Sequence, residues 1–139
     1  MGPAVQMLTG APYFETIHNS MSIEKLWNYL GEKLAANWIV TCGSHYSPGG
    51  DSTYNAIGVA NSHAYTVLGT DKLSNGQMLV KVRNPWGGYN SGYGSSEKFQ
   101  GDWSDNSNLW TDEFRAEVDY VNKKNGEWFI SAEDYHESM

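Results

Sequence analysis

His63-Ala64-Tyr65-Thr66-Val67-Leu68 and Arg83-Asn84-Pro85-Trp86-Gly87 are the two strings that decide the reading of this chain. Alternation of apolar and polar residues begins at His63 and runs to about Thr70, which predicts a strand. A second alternating run, Gln77 to Asn84, puts Met78, Val80 and Val82 on one face and Lys81 and Arg83 on the other. Ser74-Asn75-Gly76 lies between them as a turn signal. The prediction is an antiparallel hairpin with an imidazole at one end and a side-chain amide at the other.

Register decides whether those two groups meet. His63, Tyr65 and Val67 share a face by the period of two. A two-residue turn at Asn75-Gly76 would pair Val67 with Asn84. A longer loop from Asp71 to Gly76 would pair His63 with Asn84. Both keep the two residues on one face, but only the second brings them together. The expectation is therefore the longer loop, or a bulge with the same effect.

The pair matches what a thiol protease needs. There a histidine takes the thiol proton and later protonates the leaving amine. Its ring is held in one tautomer by a side-chain amide oxygen, the Cys-His-Asn form of the triad. Trp86, two residues after Asn84, could shield that bond from water. A lone His in a strand is ordinary structure, and an Asn before Pro is ordinary turn chemistry. Their coincidence on successive strands, beside a Trp, points to a site.

Working outward, Ser22 is a candidate N-cap, with Glu24 in the first turn. Ile23, Leu26, Trp27, Leu30 and Leu34 follow at helical spacing and predict the main helix, ending near Ala36. Trp38 to Cys42 reads as a buried strand and Gly43 to Gly58 as a polar loop. Trp86 to Gly101 is a long glycine-rich loop. Leu109 to Tyr120 is weakly helical, and Glu127 to Ser131 is a last strand. Ala4 to Thr9 reads as one or two helical turns. The fold class is α+β: an antiparallel sheet or half-barrel with one main helix and short helical turns. Residues 1–139 are read as a single domain.

The composition narrows the function. Sixteen acidic and nine basic side chains give a formal charge of −7. Nucleic-acid binding needs a basic face, so it is excluded, and docking on anionic lipid is disfavoured. No apolar run approaches the roughly 20 residues of a membrane span. Met1-Gly2-Pro3-Ala4 is unlike a secretory signal, and Gln6 stands where myristoylation wants Ser or Thr. One cysteine allows no internal disulfide, and no Asn-x-Ser/Thr sequon occurs. These features predict a cytoplasmic location.

These strings resemble the second protease-core subdomain of the calpains, the papain-like cysteine proteases regulated by calcium. His63-Ala64-Tyr65-Thr66-Val67 is similar to the family's His-Ala-Tyr-Ser/Thr-Val motif, and Arg83-Asn84-Pro85-Trp86-Gly87 to its most specific signature. Ala4 to Gly10 and Leu26-Trp27 are similar to its entry segment and helix. Gly101, Trp103-Ser104-Asp105, Ser107 and Trp110 match its Gly-x-Trp-Ser-Asp-x-Ser-x-x-Trp block. Gly126 to Phe129, Ser131, Asp134 and Tyr135 match its final strand and turn.

The resemblance implies that His63 is the catalytic base and Asn84 its orienting partner, with Trp86 beside the cleft. Ser62 stands where calpains commonly have Gly, adding bulk at the cleft wall. The family's nucleophile lies in a Gln-Gly-x-x-Gly-Asp-Cys-Trp block on the first subdomain, and that block does not occur here. The implied partners are that Cys-bearing subdomain and a protein or peptide substrate. Cys42 ends a strand rather than opening a helix, so it reads as a structural thiol.

The resemblance also implies one calcium for this half. Asp105 and Glu127 are retained, but Asn125 replaces an Asp. Lys98 falls where an acidic ligand belongs, unless Glu97 slips into its place. Calcium wants several hard oxygen ligands carrying carboxylate charge. Weak or absent calcium binding is expected, with the Lys98 ammonium standing in for the ion or pointing to solvent. Two other readings stay open: a non-catalytic calpain homologue with a regulatory or interaction role, and an aromatic-rich carbohydrate-binding module.

Overall fold

A computed structural model describes residues 2–87, 98–121 and 125–139. Helix α1 spans Gly2–Thr9 and α2 spans Ile23–Ala35. Strands β1 (Val40–Gly43), β2 (Ala64–Lys72) and β3 (Met78–Arg83) follow. Helix α3 (Asp112–Glu117), β4 (Glu127–Ser131) and α4 (Ala132–Ser138) complete the chain. Among the described residues the strands form one open antiparallel sheet in chain order, β1-β2-β3-β4. The fold class is α+β, as expected. No described helix is long and apolar enough to cross a membrane.

Helix α2 starts as its sequence predicts, with the Ser22 hydroxyl accepting from the Lys25 N–H at 3.3 Å. Its stripe buries Leu26 and Leu30 against one face of the sheet, where Tyr65, Val67, Val80, Val82, Trp128 and Ile130 point. Gly31 has a packing reason: a Cβ there would stand 2.9 Å from Thr70 Oγ1 on β2.

The opposite sheet face is covered as well. Leu79 and Phe129 pack there with Leu73, Trp103 and Trp110. The Trp-rich block after residue 98 is thus a second core rather than a surface loop. Most of the long glycine-rich loop, residues 88–97, lies outside the described residues.

Three local expectations are adjusted. Strand β1 starts at Val40, and Trp38 and Ile39 before it are exposed, because β1 is an edge strand. Helix α4 was not foreseen, although Ser131 caps it by accepting from the Asp134 N–H at 3.0 Å, a readable Ser-x-x-Asp signal. The β2–β3 turn is not the longer loop; the bulge expected as its alternative occurs instead. The Leu73 N–H donates to the Gln77 carbonyl at 2.9 Å, enclosing Ser74-Asn75-Gly76, with Gly76 at φ +91°.

A bulge accompanies that shorter turn. From the turn, Lys72 opposes Met78, Asp71 opposes Leu79, Thr70 opposes Val80 and Gly69 opposes Lys81. Then Leu68 is skipped, and Val67 opposes Val82 and Thr66 opposes Arg83. Continuing the first register would have set Asn84 against Thr66, on the face away from His63. The extra residue shifts the count by one, so the second register carries Asn84 to the level of Tyr65. Tyr65 and His63 share a face, so Asn84 becomes a diagonal neighbour of His63.

Candidate active site

His63 lies just before β2 and Asn84 just after β3. Their side chains meet: His63 Nε2 is 3.0 Å from Asn84 Oδ1. The same oxygen accepts the Trp86 backbone N–H at 3.0 Å. An N–H must face an acceptor, so the Trp86 amide fixes which end of the Asn84 amide points inward. That oxygen in turn requires the proton on His63 Nε2. Nδ1 is left as the basic nitrogen.

Aromatic rings hold the imidazole on two sides. Trp86 lies over it with centroids 3.9 Å apart and an interplanar angle of 35°. Tyr65 meets its edge at 4.9 Å and 89°. Asn84 is only 3% exposed, so the bond to His63 is shielded from water. The predicted shielding by Trp86 thus takes the form of a tilted ring lying over the imidazole.

The backbone under Asn84 is fixed too. Its N–H donates to the Gly126 carbonyl at 2.9 Å, and its carbonyl accepts from Gly87 N–H at 3.0 Å. Gly126 has φ +86°, and a Cβ there would lie 2.7 Å from the Asn84 carbonyl oxygen. A side chain is excluded for both reasons.

Ser62 has φ +48°, the left-handed region that favours glycine. Its hydroxyl compensates locally. It accepts from the Ser47 N–H at 2.8 Å, and lies 3.3 Å from the Ser47 carbonyl, to which it donates. The side chain is thus turned toward the Ser47 loop, and Ser62 remains exposed beside His63.

Cys42 sits opposite Tyr65 in the β1–β2 ladder and packs with the core. Burial pushes its thiol up to about 11, only partly offset by a hydrogen bond with Tyr135. At neutral pH it is a thiol, whereas the nucleophile of this chemistry is a thiolate.

The residues expected to hold calcium have other partners. Asp105 Oδ1 accepts the Tyr120 hydroxyl at 2.6 Å. Burial raises the Asp105 carboxyl above its ordinary range, against the opposing pull of Tyr120 and Arg115. Glu127 forms an ion pair with Lys81 at 3.3 Å. Asn125 Oδ1 accepts the Glu127 N–H at 3.1 Å. The Lys98 ammonium lies 4.2 Å from the centroid of the Tyr54 ring. Glu97 lies outside the described residues. Among the described residues, no group of three or more His, Cys, Asp or Glu is placed to hold a metal ion. Asp105, half-buried, and Glu127 are thus engaged with Tyr120 and Lys81 respectively.

Sequence reasoning missed two supports of the site. Gly126 is one; its Asn125-Gly126 turn was legible, but not its contact with Asn84. Ser44 is the other. It bonds the His63 backbone from 19 positions away, and no local pattern announces that.

The family model for calpain family cysteine proteases matches residues 1–139. The calpain-type cysteine protease ADL1 of Oryza sativa subsp. japonica is 29% identical over 112 residues, which cover 80% of this chain and 5% of that protein. Calpain-13 of Rattus norvegicus is 33% identical over 87 residues, 59% of this chain and 12% of the relative. Calpain-14 of Homo sapiens is 32% identical over 98 residues, 68% of this chain and 13% of the relative. The chain therefore spans only a small part of the length of the curated relatives it matches. With its family model matched from end to end, this chain belongs to the calpain family of cysteine proteases.

Proposed function

We propose that this chain supplies the histidine and asparagine of a calpain-type cysteine endopeptidase, completed by a separate Cys-bearing subdomain. The observation that carries the reading is the 3.0 Å contact between His63 Nε2 and Asn84 Oδ1, under the Trp86 ring. In the assembled site His63 Nδ1 takes the thiol proton, leaving a thiolate to attack the peptide carbonyl. The imidazolium formed is held by Asn84 through Nε2–H. It returns the proton to the departing amine, and a water then releases the acyl group by the same base.

The chain alone is inactive on this reading. Its one cysteine is a half-buried thiol, pushed up to about 11, packed against the core instead of presented to a substrate. The substrate class is a protein or extended peptide, and the setting is cytoplasmic. This half works with weak or no calcium binding of its own. The separate engagements of Asp105, Glu127 and Lys98 support that part.

The test is reconstitution. The chain is mixed with a Cys-bearing calpain subdomain and a fluorogenic peptide. Activity that appears only in the mixture, and is lost in H63A, supports the reading. No activity at any calcium concentration overturns it and favours a non-catalytic module.

A further inference from the structure

The His63 backbone is gripped by a residue from outside its own hairpin. Ser44 follows β1 directly. Its hydroxyl accepts the His63 N–H at 3.0 Å and lies 2.6 Å from the Ala60 carbonyl. Its own N–H donates to the His63 carbonyl at 2.9 Å, which also lies 3.2 Å from the hydroxyl. One serine thus engages both backbone polar groups of His63.

A hydroxyl has one hydrogen and two lone pairs. The shorter contact takes the hydrogen, so Ser44 donates to Ala60 and accepts from His63. The hydroxyl therefore bridges the two ends of the Asn61-Ser62 reversal. That reversal contains Ser62 at φ +48°, a conformation that persists only where its surroundings hold it. The Tyr65 hydroxyl helps from the other side, accepting the Ala60 N–H at 2.9 Å. Ala60 is buried, so its carbonyl has little recourse to water.

The side chain of His63 leaves its Cα between the two gripped groups. Fixing the N–H and the carbonyl fixes the direction of the Cα–Cβ bond, and so where Nδ1 points. Asn84 and Trp86 restrain the far edge of the ring, and Ser44 restrains its root. A base must be held in a narrow geometry to be efficient, and displacement by a fraction of an ångström is costly.

We infer that Ser44 is a positioning residue for the His63 base, acting through the His63 backbone. This rests on the reading of His63 as the base. Ser44 is not itself catalytic, since its hydroxyl is committed to Ala60 and His63.

The test uses S44A, S44T and S47A. Ser47 serves as the control because it stabilises the same loop through Thr53 without touching His63. Two readouts are taken: imidazole 15N shifts of His63 in the chain, and kcat and KM of the chain mixed with a Cys-bearing subdomain. S44A is expected to mix the two His63 tautomers and to lower kcat about tenfold, with KM little changed. S44T, which keeps the hydroxyl, restores both, and S47A leaves both as in the unmodified chain. Unchanged tautomer and kcat in S44A overturn the inference. So does an equal loss in S47A, which would mean general loosening of the loop. Should S44A not fold, S44C fills the site with a slightly larger, weakly bonding thiol and weakens both bonds, with the same expected and overturning results. If the unmodified mixture is inactive, the proposed function falls, while the tautomer readout still decides the role of Ser44.

Discussion

Asn84 Oδ1 lies 3.0 Å from His63 Nε2 although the two residues do not oppose each other in the sheet. They meet on a diagonal, because the residue across from the level of Asn84 is Tyr65. The amide is locked by the Trp86 N–H, and the ring by Trp86 above and Tyr65 at its edge. Several consequences can be measured.

Asn84→Ala removes the acceptor that selects the Nε2–H tautomer and strands the Trp86 N–H. Loss of a buried partner costs about 1–3 kcal/mol. The melting temperature should fall accordingly, and the His63 15N spectrum should show both tautomers. In the reconstituted enzyme kcat should fall by about tenfold to a hundredfold, with KM little changed. A spectrum unchanged from the unmodified chain would show that Asn84 does not set the tautomer.

The Leu68 bulge is a count correction, and that can be tested by changing the count. Deleting Leu68 leaves every observed pair intact, because Gly69 still opposes Lys81 and Val67 still opposes Val82. The deletion variant should fold and keep the His63–Asn84 bond. Inserting an alanine after Leu68 demands a second unpaired residue or turns His63 to the other face. The insertion variant should lose the bond and much of its stability. Equal behaviour of the two variants would sink the argument.

Gly126→Ala places a Cβ 2.7 Å from the Asn84 carbonyl at a φ of +86°. Destabilisation should exceed about 1 kcal/mol in chemical denaturation. Because the clash falls on Asn84, the His63 resonances should shift as well. Gly10, at φ +71° with open space around it, is the control. Its alanine variant should be strained locally and leave His63 untouched.

Calcium should leave the melting temperature of the chain unchanged. A site filled at a thousandfold excess over its Kd would add about 4 kcal/mol of stability. A clear upward shift at millimolar calcium, absent in E127Q, would restore the calcium site and contradict the reading.

Asp105 offers a pH test with a definite sign. Its folded pKa is raised by burial above the ordinary 3.8, so the folded state binds this proton more tightly than the unfolded state. Stability contributed by the proton is present below that range and is lost as pH rises through the folded pKa. Asp105→Asn keeps an oxygen for the Tyr120 hydroxyl and removes the ionisation. The stability of D105N relative to the unmodified chain should rise with pH just above 3.8 and then level off. A difference that is flat with pH would show that the carboxyl is not perturbed.

Much of this was legible in the chain itself. Alternation marked β2, β3 and their buried faces, because a strand exposes its side chains with a period of two. Ser22 and the Leu26-Leu30 stripe marked α2, because capping and helical spacing are local. His63 and Asn84 were singled out as a pair from residue chemistry and motif alone. That they meet was expected, by a longer loop or a bulge; the route to it was not legible. It depends on a three-residue turn closed at Leu73 and Gln77 and on one extra residue at Leu68, and the two together fix which face Asn84 takes. Local sequence names the faces of a strand, whereas the register between strands is set by turn geometry and by packing on both sheet faces at once. For the same reason the sequence could list Asp105, Glu127 and Lys98 as a set, while the tertiary structure sends them to Tyr120, Lys81 and Tyr54. Only the folded chain brings Ser44 to His63, since contacts between distant positions are made by the packing of β1 on β2 and by nothing in either strand alone.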